Sequence, residues 1–173
     1  MNLIRQETRP HSDDTRLIPL TQGQCALVDA ADYDWLIEMR WYASKDPRVG
    51  FYAVSAPRVE NDQRRLVRMH RLIMGLSLTD PRKVDHINHD TLDNRRSNLR
   101  IVTVTQNNQN MRKPRVNTSG YKGVFSSAGG RWRARIRHNG SRTHLGIFAT
   151  REEAWEAYKQ AALRLHGEFA CLE

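Results

Sequence analysis

The residues from Val84 to Asn107 constrain this chain more than any other stretch. Val84-Asp85-His86-Ile87 has apolar ends and is long enough for a brief strand. Positions 88–97 hold Asn88, Asp90, Asp93, Asn94 and Ser97 among few apolar residues, which is the chemistry of a loop. Leu99-Arg100-Ile101-Val102 has the β-branched bias of a second strand. Thr103 can cap a helix that starts at Val104 and carries Asn107. Strand, loop, strand and helix in this order can bring Asp85, His86 and Asn107 together, although Asn107 lies far along the chain from Asp85.

These three residue types suit hydrolysis of a phosphodiester. That reaction needs a deprotonated water, a cation on the phosphate oxygens and a stabilised leaving oxygen. Asp85 offers a carboxylate oxygen and Asn107 an amide oxygen. Two hard donors with no thiolate favour Mg²⁺ or Mn²⁺, which keep most of their waters. His86 titrates near neutrality and can act as general base. A side-chain or backbone oxygen is expected on its other ring nitrogen, and Asn98 is the candidate for ordering the loop. The Asn- and Gln-rich run around position 107 leaves Asn108 and Asn110 open as alternative ligands.

The stretch resembles the HNH, or ββα-metal, nuclease family, in its branch of phage and intron homing endonucleases. There Asp-His opens the motif, Asn-Leu-Arg starts the second strand, and a helical Asn replaces the last His. The resemblance implies a catalytic set of Asp85, His86, Asn98 and Asn107. Asp85 and Asn107 would be metal ligands, His86 the base and Asn98 the middle motif residue. His70, in Met69-His70-Arg71-Leu72, resembles the His-Arg pair that often precedes this motif. His89 departs from the pattern, standing where a small residue such as glycine is usual. His70, Arg71, His89 and Arg100 are candidates for DNA contact or site support. Zinc-binding cysteine pairs found in some members are absent.

Charge points to the partner. Of the net +9, positions 1–111 contribute +2 and positions 112–173 contribute +7. A concentrated basic region suggests a polyanion, most commonly nucleic acid. Positions 120–150 hold six Lys/Arg and no acid. In Arg131-Trp132-Arg133-Ala134-Arg135-Ile136-Arg137, a strand puts all four arginines on one side, successive ones roughly 6.6 Å apart. Trp132, Ala134 and Ile136 fall on the other side. Asn139-Gly140 marks a hairpin, and 142–148 forms the next strand. Thr150 and Glu153 form a capping box. Ala154, Ala157, Tyr158, Ala161, Ala162 and Leu165 then repeat at helical spacing until Gly167.

Gly120-Tyr121-Lys122-Gly123-Val124, the arginine strand, Leu145-Gly146-Ile147-Phe148 and the alanine-rich helix together resemble the plant APETALA-type, ethylene-response-factor DNA-binding domain. That family lays a three-stranded sheet in the major groove. The resemblance implies DNA contacts at Lys122, Arg131, Arg135, Arg137, Arg142 and His144; Arg133 joins them from the strand pattern. Phe125, Ser127 and Gly129 replace contact residues, so the family's target sequence does not carry over.

Upstream, positions 1–15 read as a loose arm. Positions 17–20 and 25–28 read as a hairpin, followed by a helix capped by Asp29 with Tyr33, Leu36 and Ile37 inward. A second hairpin joins 41–43 to 51–54, with Trp35, Trp41 and Tyr42 as core. A polar connection covers 56–63, a strand 64–69 and a short helix ends near Gly75. Arg64, Arg65, Arg68 and Arg71 are candidate phosphate contacts.

The expected fold class is α+β: a small N-terminal sheet with a helix, a central ββα-metal unit, and a C-terminal three-stranded antiparallel sheet on one helix. The expected boundaries are 1–62 scaffold, 63–112 nuclease unit, 113–119 basic linker and 120–173 DNA-binding domain. The expected activity is metal-dependent scission of double-stranded DNA, of homing type, by a monomer or weak dimer needing no small-molecule cofactor. A non-catalytic DNA-binding regulator on an HNH scaffold is the rival reading. The basic sheet offers few exposed aromatics for stacking on single strands, which argues against RNA. No apolar run reaches membrane-helix length, and two distant cysteines, Cys25 and Cys171, imply no disulfide framework. A phage or bacterial host cytoplasm is the expected location.

Overall fold

The computed structural model describes residues 14–58, 64–113 and 116–172. Most of the expected N-terminal arm, part of the polar connection, and Pro114-Arg115 of the linker lie outside the described residues. The chain divides into two compact units, Met1–Ile101 and Val102–Glu173. Mixed helices and small antiparallel sheets give the expected α+β class.

In the first unit, β1 (Thr15–Pro19) and β2 (Cys25–Asp29) form a hairpin that leads into α1 (Ala30–Ile37). β3 (Tyr42–Asp46), β4 (Gly50–Ser55) and the two-residue β5 (Val67–Arg68) form a second sheet in that order. The strand expected over 64–69 is thus reduced to β5. α2 (Met69–Ile73) ends before Gly75, whose φ of 67° is the left-handed stop that glycine tolerates best. β6 (Lys83–His86) pairs with β7 (Leu99–Val102).

One core joins all of these pieces. Ile18, Val28, Leu36 and Trp41 pack with Met69, Ile73, Val84 and Leu99. The expected boundary at 62/63 therefore runs through a single apolar cluster. Three expectations around α1 need correcting. Trp35, Ile37 and Tyr42 are exposed, and the buried aromatic is Trp41, whose Nε1 donates to the Leu36 carbonyl at 2.8 Å. Asp29 stands at the helix N-cap but makes no side-chain cap bond. Its carboxylate accepts the Arg96 backbone N–H instead, at 2.8 Å.

In the second unit, α3 (Val104–Gln109) opens with a full capping box between Thr103 and Gln106. β8 (Val124–Ser126), β9 (Trp132–His138) and β10 (Ser141–Phe148) form an antiparallel sheet with β9 in the centre. α4 (Arg151–His166) opens with the expected Thr150–Glu153 box and stops at Gly167. Its alanines let it approach closely: Ala154 and Ala162 are fully buried, with Tyr158, against Val124, Ala134 and Ile136.

The arginine segregation holds along β9: Ala134 and Ile136 are buried while Arg133 and Arg135 are half-buried and Arg137 is exposed. β10 departs from simple alternation. Its register shifts between His144 and Gly146, so Leu145 is the extra residue of a bulge. Leu145 packs on both small core clusters, and Ile147 turns outward.

Candidate functional site

The loop between β6 and β7 is built by polar groups. Asn98 ties its two ends: its Oδ1 accepts the Asn88 N–H at 3.0 Å, and its Nδ2 donates to the Asp93 carbonyl at 2.7 Å. Asn88 donates its amide to Asp93 at 2.9 Å, and Arg95 pairs with the same carboxylate. His89 has φ of 63°, the left-handed region in which the usual glycine costs nothing. Its N–H donates to the His86 carbonyl at 3.0 Å, closing the turn.

The scaffold strands hold this loop from outside. The Leu27 N–H donates to the Leu92 carbonyl and the Leu27 carbonyl accepts from the Asn94 N–H, at 2.9 and 2.7 Å. Thr91 donates its hydroxyl to the Phe51 carbonyl. Arg96 forks onto the buried carboxylate of Asp32 at 2.8 and 2.7 Å. Three N-terminal elements thus fix the segment that follows Asp85 and His86.

Asp85 and His86 end β6 and are both buried. The guanidinium of Arg100, on neighbouring β7, binds Oδ2 of Asp85 through Nε and a terminal nitrogen, each at 2.9 Å. Arg100 is thereby engaged with the Asp85 carboxylate. His86 Nε2 faces Oδ1 of Asn94 at 3.5 Å. The Asn94 amide nitrogen donates to the Leu92 carbonyl at 3.1 Å, which orients its oxygen toward the ring. This arrangement favours Nε2–H on His86 and leaves the lone pair on Nδ1.

Two further rings enclose His86. His70 meets it edge-on with centroids 5.0 Å apart, and Tyr52 lies 6.2 Å away while also contacting His70. Burial lowers the pKa of His86, opposed by the Asn94 contact and the Asp85 charge. Burial also pushes His70 well below its ordinary value, with the neighbouring His86 adding to the shift. Burial raises the Tyr52 phenol. Burial thus favours the neutral form of both imidazoles.

The donor chemistry suits a hard cation that keeps its waters. Asp85 brings a carboxylate and the motif brings no thiol. Among the described residues, no three His, Cys, Asp or Glu side chains cluster in a protein cage for a metal. Asn107 lies on α3, in the second unit.

Arg71 is occupied by its own loop. Its guanidinium donates to the carbonyls of Arg82, Ser77 and Asp80 at 2.9, 2.5 and 3.0 Å. It braces the 77–82 connection into β6.

On the basic sheet, Lys122 needs correction. Its ammonium donates to the carbonyls of Gln109 at 3.0 Å, Met111, and Cys171 at 3.3 Å. Its three protons are satisfied inside the unit, and burial lowers its pKa. Arg131, Arg137, Arg142 and His144 are exposed, and Arg133 and Arg135 are half-buried on the same outer face. Arg137 donates to the Gly140 carbonyl at 3.3 Å, and Arg135 stacks on Phe125 with its guanidinium carbon 4.1 Å from the ring centre.

Sequence reasoning did not single out Tyr52 or Asn94. Tyr52 read only as a hairpin aromatic, and its distance in sequence from His70 and His86 hides the cluster. Asn94 carried a signal: an amide in the loop after a candidate base is the kind of group expected on the other ring nitrogen.

The HNH endonuclease family model matches residues 78–109, which covers Asp85, His86, Asn98 and Asn107. An uncharacterised HNH endonuclease of Acanthamoeba polyphaga mimivirus is 30% identical over 149 residues, spanning 86% of this chain and 74% of that protein. Protein 3.8 of Escherichia phage T7 is 33% identical over 88 residues, half of this chain and 72% of its own length. Dehydration-responsive element-binding protein 2E of Oryza sativa subsp. japonica is 50% identical over 54 residues, 30% of this chain and 17% of that protein. No solved structure matches the chain. With a family model centred on the β6–β7 loop and a relative aligned along most of both chains, this chain belongs to the HNH endonuclease family.

Proposed function

We propose that the chain is a divalent-metal-dependent endonuclease of homing type that nicks or cuts double-stranded DNA near a recognised site. The observation that carries this reading is His86: a buried, neutral imidazole with one nitrogen turned to Asn94, directly after a buried carboxylate. Asp85 would bring a carboxylate oxygen to Mg²⁺ or Mn²⁺, which when bound supplies charge on the phosphate oxygens and on the leaving oxygen. His86 takes the proton of the attacking water at Nδ1, and Asn94 steadies the imidazolium that results. Arg100 orients Asp85, and Asn98 keeps the loop closed around both. His70 and Tyr52 exclude water from the inner side of the His86 ring.

The second unit is read as an APETALA-type DNA-binding module. The 54-residue likeness to the rice protein supports this, as does the outward row of Arg133, Arg135 and Arg137 flanked by Arg142 and His144, with exposed Arg131 just ahead of the strand. Their charge supplies affinity through phosphate contacts and released counterions. Lys122 is assigned to the interior. Lys122→Met should weaken the second unit by about 1–3 kcal/mol, because three carbonyls lose their donor. It should leave the salt dependence of DNA binding unchanged. A fall in the log–log slope of about 0.9 would instead make Lys122 a phosphate contact.

One cutting centre per chain means that a single encounter nicks one strand. Whether the protein cuts at all is tested by incubating the full chain with a random duplex library and Mg²⁺ or Mn²⁺, then sequencing the nicked ends. Chelator-sensitive nicks clustered at a common sequence are expected. Tight duplex binding with intact strands under both metals would make the protein a DNA-binding regulator.

A further inference from the structure

Three residues line up across the outer face of the second unit's sheet. The register sets Phe125 of β8 opposite Arg133 of β9, and Ile147 of β10 opposite Arg133 from the other side. Directly paired residues share a face, so these three form one row. The placing of Ile147 depends on the bulge. Unbroken alternation from Arg142 and His144 would send Ile147 inward; the extra residue at Leu145 turns it out, where it is 44% exposed. Gly146, at φ of 142°, supplies the backbone freedom for that bulge.

The row has a distinct chemistry. Nε of Arg133 is shielded from solvent and has no hydrogen-bond partner among the described residues, as expected for an arginine stem between two apolar side chains. Arg135 lies over the Phe125 ring, which fixes the plane of its guanidinium. A shallow cleft of about 330 Å³ borders Arg133, Arg135, Arg142, His144 and Ile147. A surface made only to grip phosphate has no use for Phe125 and Ile147 beside its arginines. A major-groove edge does: guanine offers two acceptors to an arginine fork, and thymine alone among the bases offers a 5-methyl group to an apolar side chain.

Building on the duplex-DNA reading above, we infer that the Phe125–Arg133–Ile147 row is a specificity element that recognises the 5-methyl group of thymine next to a guanine held by Arg135. The ring does two jobs: it covers the methyl and it orients the arginine that reads the neighbouring base.

The test uses the full chain and the duplex it selects from a random library, with each dT replaced singly by dU. This removes the methyl and keeps every hydrogen bond. Binding should weaken roughly fourfold at one or two positions, the worth of one buried methyl. Phe125→Ala or the exposed Ile147→Ser should bind the dT and dU duplexes equally, with folding checked by circular dichroism. Equal affinity of the unaltered protein for dT and dU at every position overturns the inference and leaves the duplex-DNA reading standing. Failure to select any duplex overturns both.

Discussion

Replacing His86 with alanine is expected to slow phosphodiester cleavage by roughly 10² or more and to leave duplex affinity unchanged, the usual size of a lost general base. The reason lies in the surroundings of the ring. His86 is 4% exposed, faces Asn94 on one nitrogen and packs on His70. Alanine leaves a cavity there, so a second variant separates chemistry from packing. His86→Gln fills much of the space, and its amide can still donate to Asn94, but it cannot take a proton. Both variants should be equally slow and both should bind. Recovery of near-normal cleavage in His86→Gln would show that the imidazole is a packing group. Loss of affinity together with cleavage would show that it organises the loop.

The parts of this site that could be read from the sequence are those set by neighbours in the chain. Thr103 with Gln106, and Thr150 with Glu153, announce helix starts because the reciprocal bonds span only three positions. Asn139-Gly140 announces a hairpin because both residues accept positive φ, here 48° and 81°. The arginine strand announces its own face because alternation needs no partner. Contacts between distant positions were hidden. The ring cluster draws on β4, α2 and β6, and nothing local to Tyr52 reveals it. The Arg96–Asp32 fork joins residues 64 positions apart. Lys122 looks like every other cation in a basic stretch until its three carbonyls are in place. The bulge at Leu145 inverts only the second half of β10, which a period of two cannot announce. His89 sits between these cases: its departure from the usual glycine was visible, and the φ of 63° explains what glycine would relieve.

Gly123 is where the second unit should be least tolerant of change. Its φ is +75°, and a Cβ there would sit 2.1 and 2.3 Å from the Tyr158 ring and 2.8 Å from the Arg135 carbonyl oxygen. None of these can yield. Tyr158 is 3% exposed in the core under α4, and the Arg135 carbonyl belongs to central β9, whose Arg135 N–H also donates to the Gly123 carbonyl at 2.9 Å. Left-handed strain of about 1–2 kcal/mol adds to overpacking of about 1–3 kcal/mol. Gly123→Ala should therefore cost about 2–5 kcal/mol and lower the melting temperature by roughly 10 °C or more for a unit of this size. Duplex affinity should fall with it, because the shift reaches β8 and β9 together. Gly130→Ala is the control: its φ is +69°, yet a Cβ there meets nothing within 4 Å. It carries the backbone strain alone and should cost about 1–2 kcal/mol. Equal losses at the two positions would mean that the approach of Gly123 to Tyr158 and β9 is not what closes the sheet onto α4.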